Sequence, residues 1–277
     1  MLRPEQLEAF TADHESSLLD DVSPRYLAGP GDARHVTHAL AAAGWTVRSD
    51  PLTAVVDMIS PDHLHRLRHE PQATWNSRTW QVSSNAPGAF WSASFGPVPA
   101  EILAGFTDGL LLPAPAKDLP EVWDLLSGAG WDHTVHPDGN AEARSPDGLV
   151  HIAHRPDSQD VEDPRFWRVE VVPRPDEGAP VWMASIRNAC PAHLVHGLAR
   201  ALTAPAPLRR NWQQPLGHYR ARRTESPMVP ADYVRAHHDR VDSIRTRVRA
   251  ARRHPEQAPT PSPPPSPALS SPRRQAR

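Results

Sequence analysis

Histidine is the residue here with the widest chemical repertoire, and the 277-residue chain has 16 of them. Three pairs sit at ligand spacing: His35 with His38, His133 with His136, and His151 with His154. A metal site needs three or four convergent ligands, usually with cysteine or carboxylate help. No cysteine pair and no HExxH pattern occurs, so these histidines read as solvated or core residues, with no metal expected. Neither a Gly-rich phosphate loop nor a G-x-S-x-G nucleophile elbow is present. The expectation is therefore no catalytic residue, no cofactor and no enzyme.

Arginine carries the remaining chemistry. Residues 209–277 hold 15 Arg against 5 acidic residues, a net of +10, while residues 1–208 hold 15 basic and 27 acidic residues, a net of −12. A guanidinium matches carboxylate and phosphate equally well. Arg235, Arg240, Arg245, Arg249, Arg252 and Arg253 are thus the expected contacts for an anionic partner. That partner could be an acidic protein, the chain's own acidic body, or nucleic acid. Lys117 is the single lysine, and such a bias toward Arg, Ala and Pro fits a GC-rich genome.

The elements that must position these residues come from an internal repeat. Ala43-Gly44-Trp45 recurs as Ala129-Gly130-Trp131, Ser60-Pro61-Asp62 as Ser145-Pro146-Asp147, and Trp80-Gln81-Val82 as Trp167-Arg168-Val169. Trp91-Ser92-Ala93-Ser94 recurs as Trp182-Met183-Ala184-Ser185, and Pro99-Ala100 with its following apolar residues as Pro191-Ala192. Five landmarks in one order indicate duplication. Cys190 precedes a helix start, where a thiol pKa can fall, but its counterpart is Val98, so a packing role is expected.

Locally, each copy reads as a helix closed by a glycine, then about five short strands, then a second helix. Ser-Pro-Asp suits a turn, because proline presets the backbone and aspartate fits the next position. Asp62 and Asp147 are accordingly read as turn residues. Period-two alternation puts Trp80 with Val82, and Trp91 with Ala93 and Phe95, on one buried strand face. Trp45, Trp80, Trp91, Trp131, Trp167 and Trp182 are expected in the core.

These residues also carry a resemblance. Gly29-Pro30-Gly31-Asp32, Ala43-Gly44-Trp45-Thr46-Val47, Asp50-Pro51, Ser60-Pro61-Asp62-His63 and Pro99-Ala100-Glu101-Ile102-Leu103 resemble the actinobacterial SPDY-type domain, domain of unknown function 317, in two tandem copies over about residues 23–202. The second copy departs at Trp131-Asp132-His133 and has Gly148 where the first has His63. The resemblance implies an actinobacterial protein and carries no catalytic residue across.

The resulting expectation is an α+β chain of two repeated modules, each a small antiparallel sheet flanked by N- and C-terminal helices. Residues 1–22 form an N-terminal segment, with a short helix as one outcome. The modules span 23–112 and 119–204, joined by a Pro- and Ala-rich linker at 113–118. Residues 208–253 form a basic arm, unassigned up to 226 and helical from about 230. Residues 254–277 are Pro- and Ser-rich and expected to be disordered. A lone cysteine, an acidic start without an apolar signal region and the lack of a long apolar run point to the cytoplasm and away from a membrane. Three functions compete: a protein-interaction or scaffold module leads, a nucleic-acid-associated protein using the arm follows, and an enzyme of unassigned class is third.

Overall fold

A computed structural model describes residues 2–48, 50, 52–73, 78–114, 119–156, 166–172 and 179–253. The expected disorder at 254–277 lies outside the described residues, as does most of the linker. Helices α1 (Pro4–His14), α2 (Arg34–Ala42), α3 (Ala100–Thr107), α4 (Val122–Gly128), α5 (Ala192–Thr203) and α6 (Pro230–Arg253) accompany two antiparallel sheets, so the fold is α+β.

The larger sheet has ten strands. β2 (Thr46–Val47), β3 (Val56–Ile59), β4 (His65–His69), β5 (Trp80–Ser84) and β6 (Trp91–Phe95) form one half. β7 (Asp132–Val135), β8 (Ala141–Arg144), β9 (Val150–Arg155), β10 (Phe166–Val171) and β11 (Trp182–Asn188) form the other. Their spatial order, β2-β3-β4-β5-β6-β11-β10-β9-β8-β7, reads the same outward from the β6–β11 seam. At that seam Ser94 faces Ser185, Ala93 faces Ile186 and Phe95 faces Ala184. Residues that correspond in the repeat thus meet across a local two-fold axis, and the two halves share one continuous sheet.

Alternation along the strands gives the sheet its buried side. Trp80, Val82, Trp91, Ala93, Phe95, Val169, Val171, Trp182, Ala184 and Ile186 are all buried. Helices α3 and α5 lie over this side, with Phe106 edge-on to both Trp91 and Phe95. Five of the six repeat tryptophans are buried. Trp167 is only half-buried and stacks on His154, 4.1 Å away, and on Trp123, 5.1 Å away.

Both Ser-Pro-Asp segments close hairpins, β3–β4 and β8–β9, by one hydrogen-bond scheme. Ser60 Oγ donates to Asp62 Oδ1 at 2.5 Å and accepts from the His65 N–H, while Asp62 Oδ1 accepts from the Leu64 N–H. Ser145, Asp147, Leu149 and Val150 repeat every bond. The residue after each Asp has positive φ, +63° at His63 and +71° at Gly148. Glycine suits that region best, which explains the substitution between the copies.

The ends of the chain hold a sheet that their sequence reading did not include. The start contains α1, and then β1 (Leu19–Ser23) runs between β12 (Leu208–Asn211) and β13 (Arg222–Glu225) in a three-stranded sheet. Asp20 is opposite Arg210 and Asp21 opposite Arg209 on one flank, while on the other Asp20 is opposite Glu225 and Arg223 faces Val22. Opposite charges still meet across the ladder, Arg209 with Asp21 at 3.6 Å and Arg223 with Asp20 at 3.3 Å. Residues 208–226, left unassigned by periodicity, are therefore partners of the N-terminal segment. Helix α6 buries Val234, His237, Val241, Ile244 and Val248 against α1 and α2.

One buried ion pair ties the three-stranded sheet to helix α3. Arg210, with a side chain 2% exposed, donates to both Glu101 oxygens at 2.6 and 2.9 Å and to the carbonyls of Ala28 and Gly29. Burial alone would raise the Glu101 carboxyl, but the Arg210 guanidinium outweighs it and holds the pKa below the usual range.

Candidate interaction surface

The alternation that buries the tryptophans leaves a second sheet face that no helix among the described residues covers. Gln81 and Ser83 point there from β5, Ser92 and Ser94 from β6, and Met183, Ser185 and Arg187 from β11; each is half-buried or exposed. Pairing aligns them in two rows. One runs Asp57, Arg68, Gln81, Ser94, Ser185, Arg168. The next runs Arg66, Ser83, Ser92, Arg187, Phe166, Arg155.

The middle of this face is thus a bed of short hydroxyls and one amide, bracketed by guanidinium groups. Several arginines are held locally. Arg66 binds Asp57 at 2.8 Å, Arg68 binds Glu70 at 2.6 Å, and Arg168 binds Glu170 at 2.6 Å. Arg155 lies over the Phe166 ring at 5.3 Å. Arg78 and Arg187 line the same trough with Ser94, Ser185 and Met183, and among the described residues neither has a carboxylate partner. Small side chains let a partner backbone approach closely, hydroxyls can donate or accept, and two free guanidinium forks suit carboxylates.

None of these arginines was singled out from the sequence. The signal was present, because the period that marked the Trp face also dictates that Gln81, Ser83, Ser92 and Ser94 share the opposite one. The arm drew attention instead through its net charge, and its six arginines sit as follows. Arg240 reaches Asp108 at 2.8 Å, and Arg245 reaches Asp242 at 2.9 Å and the Leu2 carbonyl at 3.3 Å. Arg235 pairs with Asp232 on its own helix. Arg252 donates to the Ala43 carbonyl at 3.1 Å. Arg249 and Arg253 are exposed on α6. Much of the arm's charge is therefore turned toward the chain's own carboxylates and carbonyls.

The histidine pairs are divided. His35 and His38 both belong to α2, and His38 Nδ1 lies 3.1 Å from His237 Nε2 of α6. His133 stacks on Trp123 at 4.6 Å. Glu142 lies between His136, 3.7 Å away, and His151, 2.8 Å away. Among the described residues no group of three or more His, Cys, Asp or Glu could hold a metal ion. Burial pushes the Cys190 thiol well above its ordinary pKa, which disfavours the reactive thiolate. Among the described residues no helix is long and apolar enough to cross a membrane.

Comparison with known families places these elements. Residues 59–116 and 144–208 each match one family model, the SPDY domain, described as a domain of unknown function (DUF317). Each matched segment begins at a Ser-Pro-Asp hairpin, continues through the two Trp strands and ends beyond the following helix. No curated protein and no solved structure matched the chain.

Proposed function

For a chain that carries the SPDY domain twice, we propose a non-enzymatic role as a protein-interaction or scaffold module. Its open sheet face receives an acidic segment of a partner protein. On this reading the chain is a duplication in which each copy contributes five strands and its own flanking helices. Fusion at β6–β11 produces a binding surface twice as wide as one copy provides. The protein is read as cytoplasmic and the acidic partner as a polypeptide.

The observation that carries this reading is the hydroxyl bed between Arg66 and Arg68 on one side and Arg168 and Arg187 on the other. A sheet built to hold single-stranded nucleic acid stacks bases on exposed aromatic rings. Here the rows offer only Phe166, already covered by Arg155. The acidic body also repels phosphate.

Nucleic-acid association through α6 is the second reading, favoured by the exposed Arg247, Arg249, Arg252 and Arg253. Removing everything after Leu208 cannot separate the two, because that cut also removes β12, β13 and the Arg210–Glu101 pair. Point variants of the full chain can. Fluorescence anisotropy with a labelled Glu- and Asp-rich peptide, a single strand and a duplex should show the peptide bound best. The double variant Arg78→Ser/Arg187→Ser should lose most of that affinity, while Arg247→Ser/Arg249→Ser should not. Preference for either nucleic acid, with loss confined to the α6 variant and a steep salt dependence, would favour the second reading.

A further inference from the structure

The two-fold relation breaks down beside the Ser-Pro-Asp turns, and the break identifies a second site. Next to the second copy's Ser-Pro-Asp turn, the short 3-10 segment Arg25–Leu27 is inserted into the body. The Tyr26 hydroxyl donates to Asp147, and the Tyr26 carbonyl accepts from Trp182 Nε1 at 2.8 Å. Arg25 donates to the Ala204 carbonyl at 3.3 Å. The tyrosine is 7% exposed. This is a socket filled by the chain's own aromatic hydroxyl.

The counterparts of two of its partners in the first copy are Asp62 for Asp147 and Leu112 for Ala204. Both line one pocket, together with Ser60, Trp45, Leu194 and α6 residues Val248, Ala251 and Arg252. No tyrosine enters it. The Asp62 side chain is 56% exposed, and its Oδ1 serves the turn as Asp147 Oδ1 does. What Tyr26 uses on Asp147 is the other oxygen.

The geometry points to this pocket as a binding site for a tyrosine side chain presented by an acidic segment of a partner protein. The phenol ring would lie among Trp45, Leu112 and Leu194, with its hydroxyl donating to the outer oxygen of Asp62. The preference for acidic flanks follows from charge at the rim, where Arg252 stands and Asp62 is the one carboxylate among the described lining residues. This site is separate from the sheet face and stands or falls without it.

The test uses the full chain and peptides that copy residues 23–28, Ser-Pro-Arg-Tyr-Leu-Ala, with single changes. Anisotropy should show saturable binding of a labelled Ser-Pro-Glu-Tyr-Leu-Ala peptide, several-fold weaker binding of the Arg version, and a loss of tenfold or so when Tyr becomes Phe, as for a hydrogen bond to a charged acceptor. Asp62→Asn should weaken the Glu-Tyr peptide as much as the Tyr-to-Phe change does. Ala251→Trp, which fills the pocket from the α6 surface, should abolish binding. Asp147→Asn should leave it unchanged. Melting curves identify a variant that merely unfolds, and Asp62→Asn, which preserves the turn's acceptor, covers a failure of Ala251→Trp. Absence of saturation, indifference to the Tyr-to-Phe change, or equal loss in Asp147→Asn would overturn the assignment. That last result would mean the peptide had exchanged with Tyr26 in the filled socket.

Discussion

Gly105 of α3 and Gly197 of α5 face each other where the helices cross, each backbone carbonyl occupying the space of the other's absent Cβ. A Cβ added at Gly105 would meet the Gly197 oxygen at 2.5 Å and Ala201 at the same distance. The local two-fold axis that passes between Ser94 and Ser185 in the sheet therefore also passes between these glycines in the helix layer. Gly105→Ala and Gly197→Ala should each destabilise by about 1–3 kcal/mol through overpacking. Gly128→Ala is the control, since nothing lies within 4 Å of its would-be Cβ. It should be neutral or stabilise by up to about 1 kcal/mol. Urea melts of the three variants check the contrast.

The Arg210–Glu101 pair should be worth far more intact than halved. Glu101→Gln leaves a guanidinium with 2% side-chain exposure facing a neutral amide, and removal of one partner from a buried pair costs about 3–5 kcal/mol. Exposed Arg235→Gln, paired with Asp232 on the same helix turn, should cost well under about 1 kcal/mol. Comparable losses from both variants would show that Arg210 does not couple the three-stranded sheet to helix α3.

Acid should loosen the packing of α6. Burial holds His38 down to about 4 and His237 down to about 3. Asp32 works against the shift at both, and Arg34, Arg240 and neighbouring histidines add to it. An unfolded histidine titrates near 6.5, so below about pH 6.5 the unfolded chain binds protons that the folded chain refuses. Stability from these two groups is present above about pH 6.5 and falls as pH drops toward their folded values. From pH 7 to 5 the loss should be on the order of 2 kcal/mol for each group, about 4 kcal/mol for the pair. Asp32, held low by His14 and Arg34 despite its burial, does not titrate in that window. Melting temperatures from pH 5 to 8 should slope less in His38→Leu/His237→Phe; an unchanged slope would assign the effect elsewhere.

Trp91 is 1% exposed and touches Phe106 edge-on. Trp91→Ala should destabilise by roughly 3–5 kcal/mol. Trp212, 53% exposed, should tolerate the same change within about 1 kcal/mol. Denaturant titration distinguishes the two.

Local signals were the legible part of this fold. The Ser-Pro-Asp hairpins, the Trp strands and the helices after Pro99 and Pro191 could be read because each depends on neighbours in sequence. The pairing of β1 with β12 and β13 joins residues almost two hundred positions apart, and no period reports such a partner. Its one trace was charge, Asp20-Asp21 against Arg209-Arg210 and Arg222-Arg223. The seam between Ser94 and Ser185 was similarly hidden, because a repeat shows that two copies exist but not which edges meet. The candidate surface was missed for a different reason. Serine alternating with buried tryptophan looks like plain solvent exposure until three strands place those serines side by side.

The central proposal is that the fused sheet, not the basic helix, receives an acidic partner, and one labelling experiment addresses it directly. With Cys190 replaced by Ala, an environment-sensitive fluorophore is attached at Ser94→Cys in one protein and at Arg247→Cys in another. Each is then titrated with the Glu- and Asp-rich peptide. The proposal expects a saturable change at position 94 that disappears with Arg78→Ser/Arg187→Ser, and no change at position 247. A response at 247 with none at 94 would contradict it and place the anion site on α6.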